Sequence, residues 1–288
     1  MLTFDSHPEK SHFLKEAGSL RGSKWMSRSF RPATRQCDLS VQFPDHFSSV
    51  ASDYAAFRPQ YPAELFDWLA SVCARHDAAW DCACGSGQAS GSLAFYFGRV
   101  VGTDASVTQV AAAGETETTR FVVARSEQAP LADNTVDLVV VASALHWFVG
   151  ETFFAEVRRV VRPGGVFAAW SYGMPTIESE DLEKAVHGFI NGTLGPYWPP
   201  ETRMVLDGYD TIDLPFEGIK APAFELNAEW PLEGFLGFAR TWSAVGRFVE
   251  ERGEDPVLQL GVDLERIWSG RSQPLPIRYR LGLRVGRA

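Results

Sequence analysis

A glycine-rich stretch at residues 81–88 (DCACGSGQ) has the residue types of a ligand-binding turn. The short apolar segment before it, residues 78–80, predicts a buried strand, and residues 90–97 predict a helix after it. Glycines let the backbone approach a ligand closely, and the free N–H groups of a helix N-terminus attract anionic or nucleotide groups. The stretch therefore predicts a nucleotide-binding turn between a strand and a helix.

An acidic residue follows this turn at the distance expected of a ribose ligand. Asp104 ends the predicted strand 100–104 (VVGTD), about 20 positions after the turn, and a carboxylate there accepts hydrogen bonds from ribose hydroxyls. The spacing predicts a cofactor that contains adenosine. Because the pattern Gly85-x-Gly87 also fits a dinucleotide-binding turn, a nicotinamide-dependent oxidoreductase is an alternative.

Asp81 favours one of these cofactors because of its charge. It stands before the glycines, at the end of the predicted strand. A carboxylate at this point is unfavourable beside a pyrophosphate, but it suits a cationic group such as the amino group of S-adenosylmethionine.

Several segments together resemble the class I S-adenosylmethionine-dependent methyltransferases. The narrower resemblance is to their type 11 branch, which includes trans-aconitate methyltransferases. The matching segments are residues 81–87, Asp104, 126–127 (SE), 145–148 (LHWF) and 162–165 (RPGG). The resemblance covers most of the chain from about residue 47 onward, and it implies S-adenosyl-L-methionine as the cofactor.

The resemblance also implies which residues contact the cofactor. An aromatic segment at residues 47–62 would fold over it as a lid, with Tyr54 and Arg58 near the methionine carboxylate, a partner that a guanidinium group suits. The other cofactor-binding residues implied are Asp81, Ala83, Gly85, Gly87, Asp104, Ala105, Arg125, Ser126, Ala142 and Ser143.

Two of these residues depart from the family pattern. Most members have glycine at the position of Ala83, and members often have an acidic residue that contacts adenine at the position of Arg125. Ser126 is the alternative contact for the adenine. These departures leave a second alternative open, a cofactor-binding protein without transferase activity.

The catalytic and substrate residues are expected just past the predicted strand 136–142. His146 is the candidate catalytic residue: it would take the proton of a hydroxyl or amine acceptor, and it would only orient an acceptor that is an ionised carboxylate. Trp147, Trp242 and Arg278 are the candidate substrate-binding residues. The sequence predicts methyl transfer to oxygen of a small molecule, with a carboxylic acid as one candidate.

The order of the predicted elements indicates an α/β fold. Strands and helices alternate up to residue 170, which predicts a Rossmann-like, doubly wound and mostly parallel sheet with helices on both faces. Strict alternation at residues 275–285 predicts a C-terminal antiparallel strand, as in a seven-stranded methyltransferase sheet. We expect a loosely docked or disordered tail at residues 1–42 and one domain at residues 43–288, in which residues 171–222 form a cap-like insertion.

The composition limits which binding partners and which cellular compartment we expect for this protein. The net charge of −9 argues against broad binding to nucleic acid or to an anionic membrane surface. No apolar run approaches the roughly 20 residues that span a bilayer. The four cysteines lack the spacing of a metal site, so we expect packing residues in a reducing cytoplasm and no bound metal. The predicted partner is a small-molecule substrate, and the predicted oligomeric state of the protein is a monomer or a homodimer.

Overall fold

The structure, a computed structural model, describes residues 59–268 and 274–288. The predicted tail and most of the predicted lid, including Tyr54 and Arg58, lie outside the described residues. The described residues form one mixed sheet with helices packed on both faces.

Five parallel strands form the centre of the sheet, in the order β3-β2-β1-β4-β5. They are β1 (Ala79–Cys82), β2 (Val100–Asp104), β3 (Thr119–Val123), β4 (Val136–Ala142) and β5 (Val161–Tyr172). The apolar run in β4 is buried on both faces, as its β-branched residues predict. The doubly wound parallel sheet predicted from the sequence is therefore confirmed.

The C-terminal strand β9 (Leu275–Arg287) runs antiparallel to β5, as predicted. Three further strands pair with β9, namely β6 (Thr176–Ile177), β7 (Glu217–Gly218) and β8 (Glu225–Trp230). The sheet of the described residues has nine strands rather than seven because β6 and β7 form short pairs at the two ends of the segment between β5 and β8. The alternation in β9 is also confirmed, since Ile277 and Tyr279 are buried and Arg278 is exposed.

The helices pack on opposite faces of the sheet. Helices α1 and α2 share one face of the sheet with the later helices α5, α7 and α9, and α4 packs on the other face. The nine α-helices of the described residues are α1 (Ala63–Ser71), α2 (Gln88–Leu93), α3 (Val107–Ala112), α4 (Glu151–Val160), α5 (Glu180–Gly188), α6 (Thr202–Leu206), α7 (Leu232–Arg240), α8 (Ser243–Arg252) and α9 (Pro256–Trp268).

A charged network secures the amino ends of the central strands. The Asp137 carboxylate accepts hydrogen bonds from the backbone N–H groups of Asp77 and Ala78, at 2.7 and 3.0 Å. Arg162, from the RPGG turn that begins β5, donates to the other oxygen of Asp137 at 2.5 Å. Because charge-assisted bonds of a buried carboxylate are strong, the network fixes how β1, β4 and β5 align, and so where their carboxyl ends lie.

Candidate functional site

Two adjoining cavities lie at the carboxyl ends of the central strands, and Ser143 and Trp147 line both. The first contains about 870 Å³ of space that is continuous with solvent. Its lining residues come from the segments after β1 to β4: Ala83, Gly85, Asp104, Ala105, Ser106, Gln109, Ala124, Arg125, Ser126, Glu127, Ala142, Ser143, Ala144, Trp147 and Phe148. Ligands bind at this edge in open α/β sheets.

The glycine-rich turn forms one wall of the first cavity. Ala83, Gly85 and Gly87 all have positive φ angles, of 55°, 54° and 89°. Gly87 does not line the cavity; a Cβ atom there would lie 2.6 Å from the ring of Phe121, so only glycine fits. Gly87 therefore shapes the turn and precedes α2, while Ala83 and Gly85 face the space.

Asp104 connects the turn to the next strand. Its Oδ2 atom accepts a hydrogen bond from the Gly85 backbone N–H at 2.9 Å, and its Oδ1 atom accepts one from the Ser106 N–H at 2.8 Å. A carboxylate oxygen has about two acceptor sites, and Asp104 lines the first cavity. The same group can therefore hold the turn in place and accept ligand hydroxyls. Ser106 caps α3 by accepting a hydrogen bond from the Gln109 N–H at 3.3 Å.

Asp81 lies behind the turn rather than on the cavity wall. It is fully buried, and its Oδ2 atom accepts a hydrogen bond from Ser90 Oγ at 2.6 Å. Its Oδ1 atom has no hydrogen-bond partner in the described part of the chain. Burial raises the pKa of the Asp81 carboxyl to about 7. We expected Asp81 to contact the cofactor directly. The structure corrects this position, because Asp81 lies behind the cavity wall and only its Oδ1 atom lacks a hydrogen-bond partner among the described residues.

Gln109 is a candidate that the sequence reasoning missed. It is 3% exposed and lines the first cavity, and its Oε1 atom has no hydrogen-bond partner among residues 59–268 and 274–288. A buried acceptor without a partner costs about 1–3 kcal/mol. A ligand that donates a hydrogen bond here would recover that cost. The available signal was an amide three residues after the N-cap, on the inner side of α3.

The described end of the predicted lid contacts this region. Gln88 Nε2 donates a hydrogen bond to the Pro59 carbonyl at 2.7 Å, and the Tyr61 and Ser143 hydroxyls are 3.2 Å apart. Tyr61 also packs edge-on against Trp170, with ring centroids 5.4 Å apart. The chain just after Arg58 therefore lies beside the point where the two cavities meet.

The second cavity extends from that point under the later helices and contains about 940 Å³ of space. Its lining residues are Ser143, His146, Trp147, Tyr172, Gly173, Met174, Pro175, Ile190, Asn191, Trp198, Thr202, Val205, Leu206, Phe238, Trp242, Ser243 and Tyr279. Trp147 and Trp242, both predicted to bind substrate, belong to this set.

Arg278 does not line either cavity, which corrects its predicted role in substrate binding. Its side chain is exposed on the outer side of β9, 3.9 Å from Glu178. The neighbouring Tyr279 faces the second cavity instead. Successive residues of a strand point to opposite faces, so the residue before a cavity-lining tyrosine points away from the cavity.

His146 lies in a 3₁₀ turn (Leu145–Trp147) on the wall of the second cavity, where it is 8% exposed. Its Nδ1 atom lies 2.9 Å from the hydroxyl of Tyr209, and its Nε2 atom has no hydrogen bond to any residue of the described chain. Burial lowers the pKa of the His146 imidazole to about 4. The ring is therefore neutral at pH 7, with one nitrogen held and the other available.

Tyr209 was not predicted from the sequence. It is fully buried and has a φ angle of 62°, which is unusual for a bulky residue. The preceding Gly208 packs against Gly282 of β9, where a Cβ atom on Gly282 would lie only 2.3 Å from the Gly208 Cα atom. This backbone contact fixes the turn after α6 and brings the Tyr209 hydroxyl to His146.

The cysteines, the potential metal ligands and the helices of the described residues add no metal site and no membrane span. Cys73, Cys82 and Cys84 are free and buried, and burial raises the pKa of the Cys73 thiol to about 12. No cluster of potential metal ligands occurs among the described residues. No described helix combines the length and the apolar character that a membrane span requires.

Comparisons with known proteins identify the family. Residues 80–169 match the family described as "Methyltransferase domain". A Dictyostelium discoideum protein named as a methyltransferase is 33% identical over 218 residues, which cover 75% of this chain and 83% of that protein. A Saccharomyces cerevisiae protein named as an S-adenosylmethionine-dependent methyltransferase is 29% identical over 174 residues, and the match spans 59% of it.

A solved structure agrees with these relatives. A type II methyltransferase from Anaeromyxobacter dehalogenans is 39% identical, superposes with a TM-score of 0.74, and is matched over 80% of this chain and 98% of its own. The comparisons decide against the nicotinamide-dependent alternative and do not single out the trans-aconitate branch. The sheet order, the turn after β1 and these relatives together show that the chain belongs to the class I S-adenosylmethionine-dependent methyltransferases.

Proposed function

We propose that this enzyme binds S-adenosylmethionine in the first cavity and transfers the methyl group to an oxygen atom of a small molecule in the second. The observation that carries the proposal is the shared wall, since Ser143 and Trp147 line both cavities. Methyl transfer is an in-line displacement, so donor and acceptor have to meet at one opening.

The polar groups of the first cavity fit the cofactor. The Asp104 carboxylate lines this cavity at the end of β2, where the ribose hydroxyls are expected, and Gln109 Oε1 is a second acceptor on the same wall. Arg125 and Ser126 lie at the end of β3, where the adenine is expected. The unsatisfied Oδ1 atom of Asp81 suits a cationic amino group, because burial strengthens the attraction between opposite charges.

The residues of this chain position the reactants and exclude water. When bound, S-adenosylmethionine supplies an electrophilic methyl group that its sulfonium already activates. Trp147 shields the opening between the cavities, and the neutral His146 faces the acceptor. His146 takes the proton of a hydroxyl acceptor or orients a carboxylate acceptor.

Calorimetric titration tests the first half of the proposal. The enzyme is titrated with S-adenosylmethionine, with S-adenosylhomocysteine and with a nicotinamide nucleotide. We expect micromolar binding of the first two alone. Binding of the nicotinamide nucleotide instead would contradict the proposal.

Product formation tests the second half. S-adenosylhomocysteine release is measured with a panel of small hydroxyl and carboxyl compounds, and mass spectrometry locates the new methyl group. Transfer to oxygen supports the proposal, whereas transfer only to nitrogen, carbon or a macromolecule overturns it. The variant Phe95→Ala is the control, because Phe95 is 88% exposed and lines neither cavity.

A further inference from the structure

The second cavity has an uncharged aromatic wall. Six of its lining residues carry aromatic carbocyclic or indole rings: Trp147, Tyr172, Trp198, Phe238, Trp242 and Tyr279. None of the described lining residues is Asp, Glu, Lys or Arg. Its polar groups are hydroxyls, one amide and the neutral imidazole of His146. This composition favours a ligand with an apolar ring body and few polar atoms.

The aromatic rings of the second cavity pack against one another and form its wall. Trp242 stands perpendicular to Phe238, with centroids 5.7 Å apart, and lies 6.1 Å from Trp198. Phe238 also packs edge-on against Tyr279, with centroids 6.1 Å apart, and Tyr279 packs against Tyr172 at 5.3 Å. Offset and edge-on ring pairs at these distances are favourable. Walls of this kind suit a flat ring system, which would gain further ring contacts on binding.

Among residues 59–268 and 274–288, the charge balance of the second cavity argues against a carboxylate ligand. An ionised carboxylate that leaves water for an apolar site without a cationic partner is destabilised by several kcal/mol. Arg278, which could have supplied that cation, is exposed on the other side of β9. A neutral hydroxyl needs only a hydrogen-bond partner, which Ser143 or His146 can provide.

We propose that the acceptor of this enzyme is a neutral, ring-bearing hydroxyl compound that binds against the aromatic wall of the second cavity. The inference rests on the proposed function and names the substrate class of the same site. In the tautomer that this proposal requires, Nδ1–H of His146 donates to the Tyr209 oxygen and the Nε2 lone pair faces the acceptor. The acceptor oxygen gains the methyl group as the methyl–sulfur bond breaks, its proton passes to Nε2, and the sulfonium becomes a neutral thioether.

Three probes with one ring system separate the possible ligand charges. They are 2-naphthol, which is neutral at pH 7, 2-naphthoic acid, which is an anion, and 2-naphthylmethylamine, which is a cation. Each is titrated by calorimetry into enzyme saturated with S-adenosylhomocysteine. We expect 2-naphthol to bind at least about tenfold more tightly than either charged probe, a difference of about 1.4 kcal/mol.

Two variants locate the binding and reverse its preference. Trp242→Ala is expected to weaken 2-naphthol binding about tenfold, while the exposed control Phe95→Ala leaves it unchanged. Thr202→Arg adds a cation to the wall and is expected to bring 2-naphthoic acid to an affinity at least equal to that of 2-naphthol. Thr202→Arg also serves as the test if Trp242→Ala does not fold.

The outcomes distinguish this inference from the proposed function. Tighter binding of 2-naphthoic acid or of the amine by the unmodified enzyme overturns the inference, and so does the absence of binding by all three probes. In each of these cases the binding of S-adenosylhomocysteine, measured first, still supports the cofactor site. Failure of S-adenosylhomocysteine itself to bind contradicts the proposed function.

Discussion

The two cavities of the site are built from different kinds of chain segment. The first is lined by the ends of β1 to β4 and the segments that follow them, and apart from Trp147 and Phe148 its residues are small or polar, such as Gly85, Asp104 and Ser126. The second is lined by rings from segments far apart in the sequence, among them Trp147, Trp198 and Tyr279. A site made of strand ends is specified locally, whereas a site made of packed helices depends on the whole fold.

The cavities also differ in their electrostatics. Gln109 Oε1, on the wall of the first cavity, has no hydrogen-bond partner in the described chain, and neither has Asp81 Oδ1 behind the turn; such groups cost free energy in the unliganded enzyme. The rings of the second pack against one another. A polar ligand that binds in the first cavity therefore removes a free-energy cost of the unliganded enzyme. Ligand binding in the second cavity is instead favoured by apolar and ring contacts.

The largest expected effect is at His146, on the wall of the second cavity. Replacing it in His146→Gln removes the proton acceptor, and general-base catalysis typically contributes about 10²- to 10⁴-fold. We expect kcat for a hydroxyl acceptor to fall within that range, with S-adenosylhomocysteine affinity unchanged by calorimetry. The control is His76→Gln at the amino end of the sheet. An equal loss of cofactor affinity would show that His146 supports the first cavity instead.

The next prediction concerns the buried carboxyl of Asp81, whose pKa burial raises from 3.8 to about 7. The folded state holds this proton more tightly than the unfolded state, so the stability it contributes is present below pH 4 and is lost as the pH rises through 7. The full difference is on the order of 4 kcal/mol.

Asp81→Asn should therefore make the unliganded enzyme more stable at pH 8 and flatten the pH dependence between pH 5 and 8, while it weakens S-adenosylmethionine binding. Guanidinium denaturation at both pH values and calorimetry measure the two effects. The matched control is Asp213→Asn at an exposed carboxylate. A variant that is less stable at pH 8 would refute the interpretation that burial of the ionised Asp81 carboxylate destabilises the unliganded enzyme.

A smaller effect is expected at Asp104. Asp104→Ala removes the acceptor of the Gly85 and Ser106 N–H groups together with the proposed ribose contact. Calorimetry should show S-adenosylhomocysteine binding weaker by about 1–3 kcal/mol, the cost of lost charge-assisted hydrogen bonds. Unchanged affinity would mean that the ribose does not bind at the end of β2.

The smallest effect is expected at Tyr209, which positions His146. Tyr209→Phe removes one hydrogen bond, worth about 1 kcal/mol. We expect kcat to fall roughly fivefold with KM unchanged, and the nitrogen NMR signals of His146 to show a mixture of tautomers. Tyr197→Phe, whose hydroxyl accepts a hydrogen bond from Arg252 instead, is the control. A single unchanged tautomer in Tyr209→Phe would contradict the positioning role.

The elements of the sheet and most of the first cavity could be predicted from the sequence. The residues of that cavity that the sequence predicted include Ala83, Gly85, Asp104 and Ser126. A glycine turn or an acidic residue directly after a parallel strand lies at the carboxyl edge of the sheet, where ligands bind. Gly87 and Asp81 belong to the same motif, but they support the turn from behind. The motif specifies the turn without specifying which of its side chains reaches the ligand.

The sequence by itself determined the doubly wound parallel sheet, the cofactor class and the position of His146 just past the fourth strand, since these depend on local spacing and on the residues next to strand ends. The tertiary structure decided the rest. Only the packing of Gly208 on Gly282 brings Tyr209 to His146, and only the pleat of β9 turns Tyr279 into the cavity and Arg278 out of it. Contacts between segments 60 or more residues apart leave no periodic pattern in the sequence, so the acceptor cavity becomes visible only once the chain is folded.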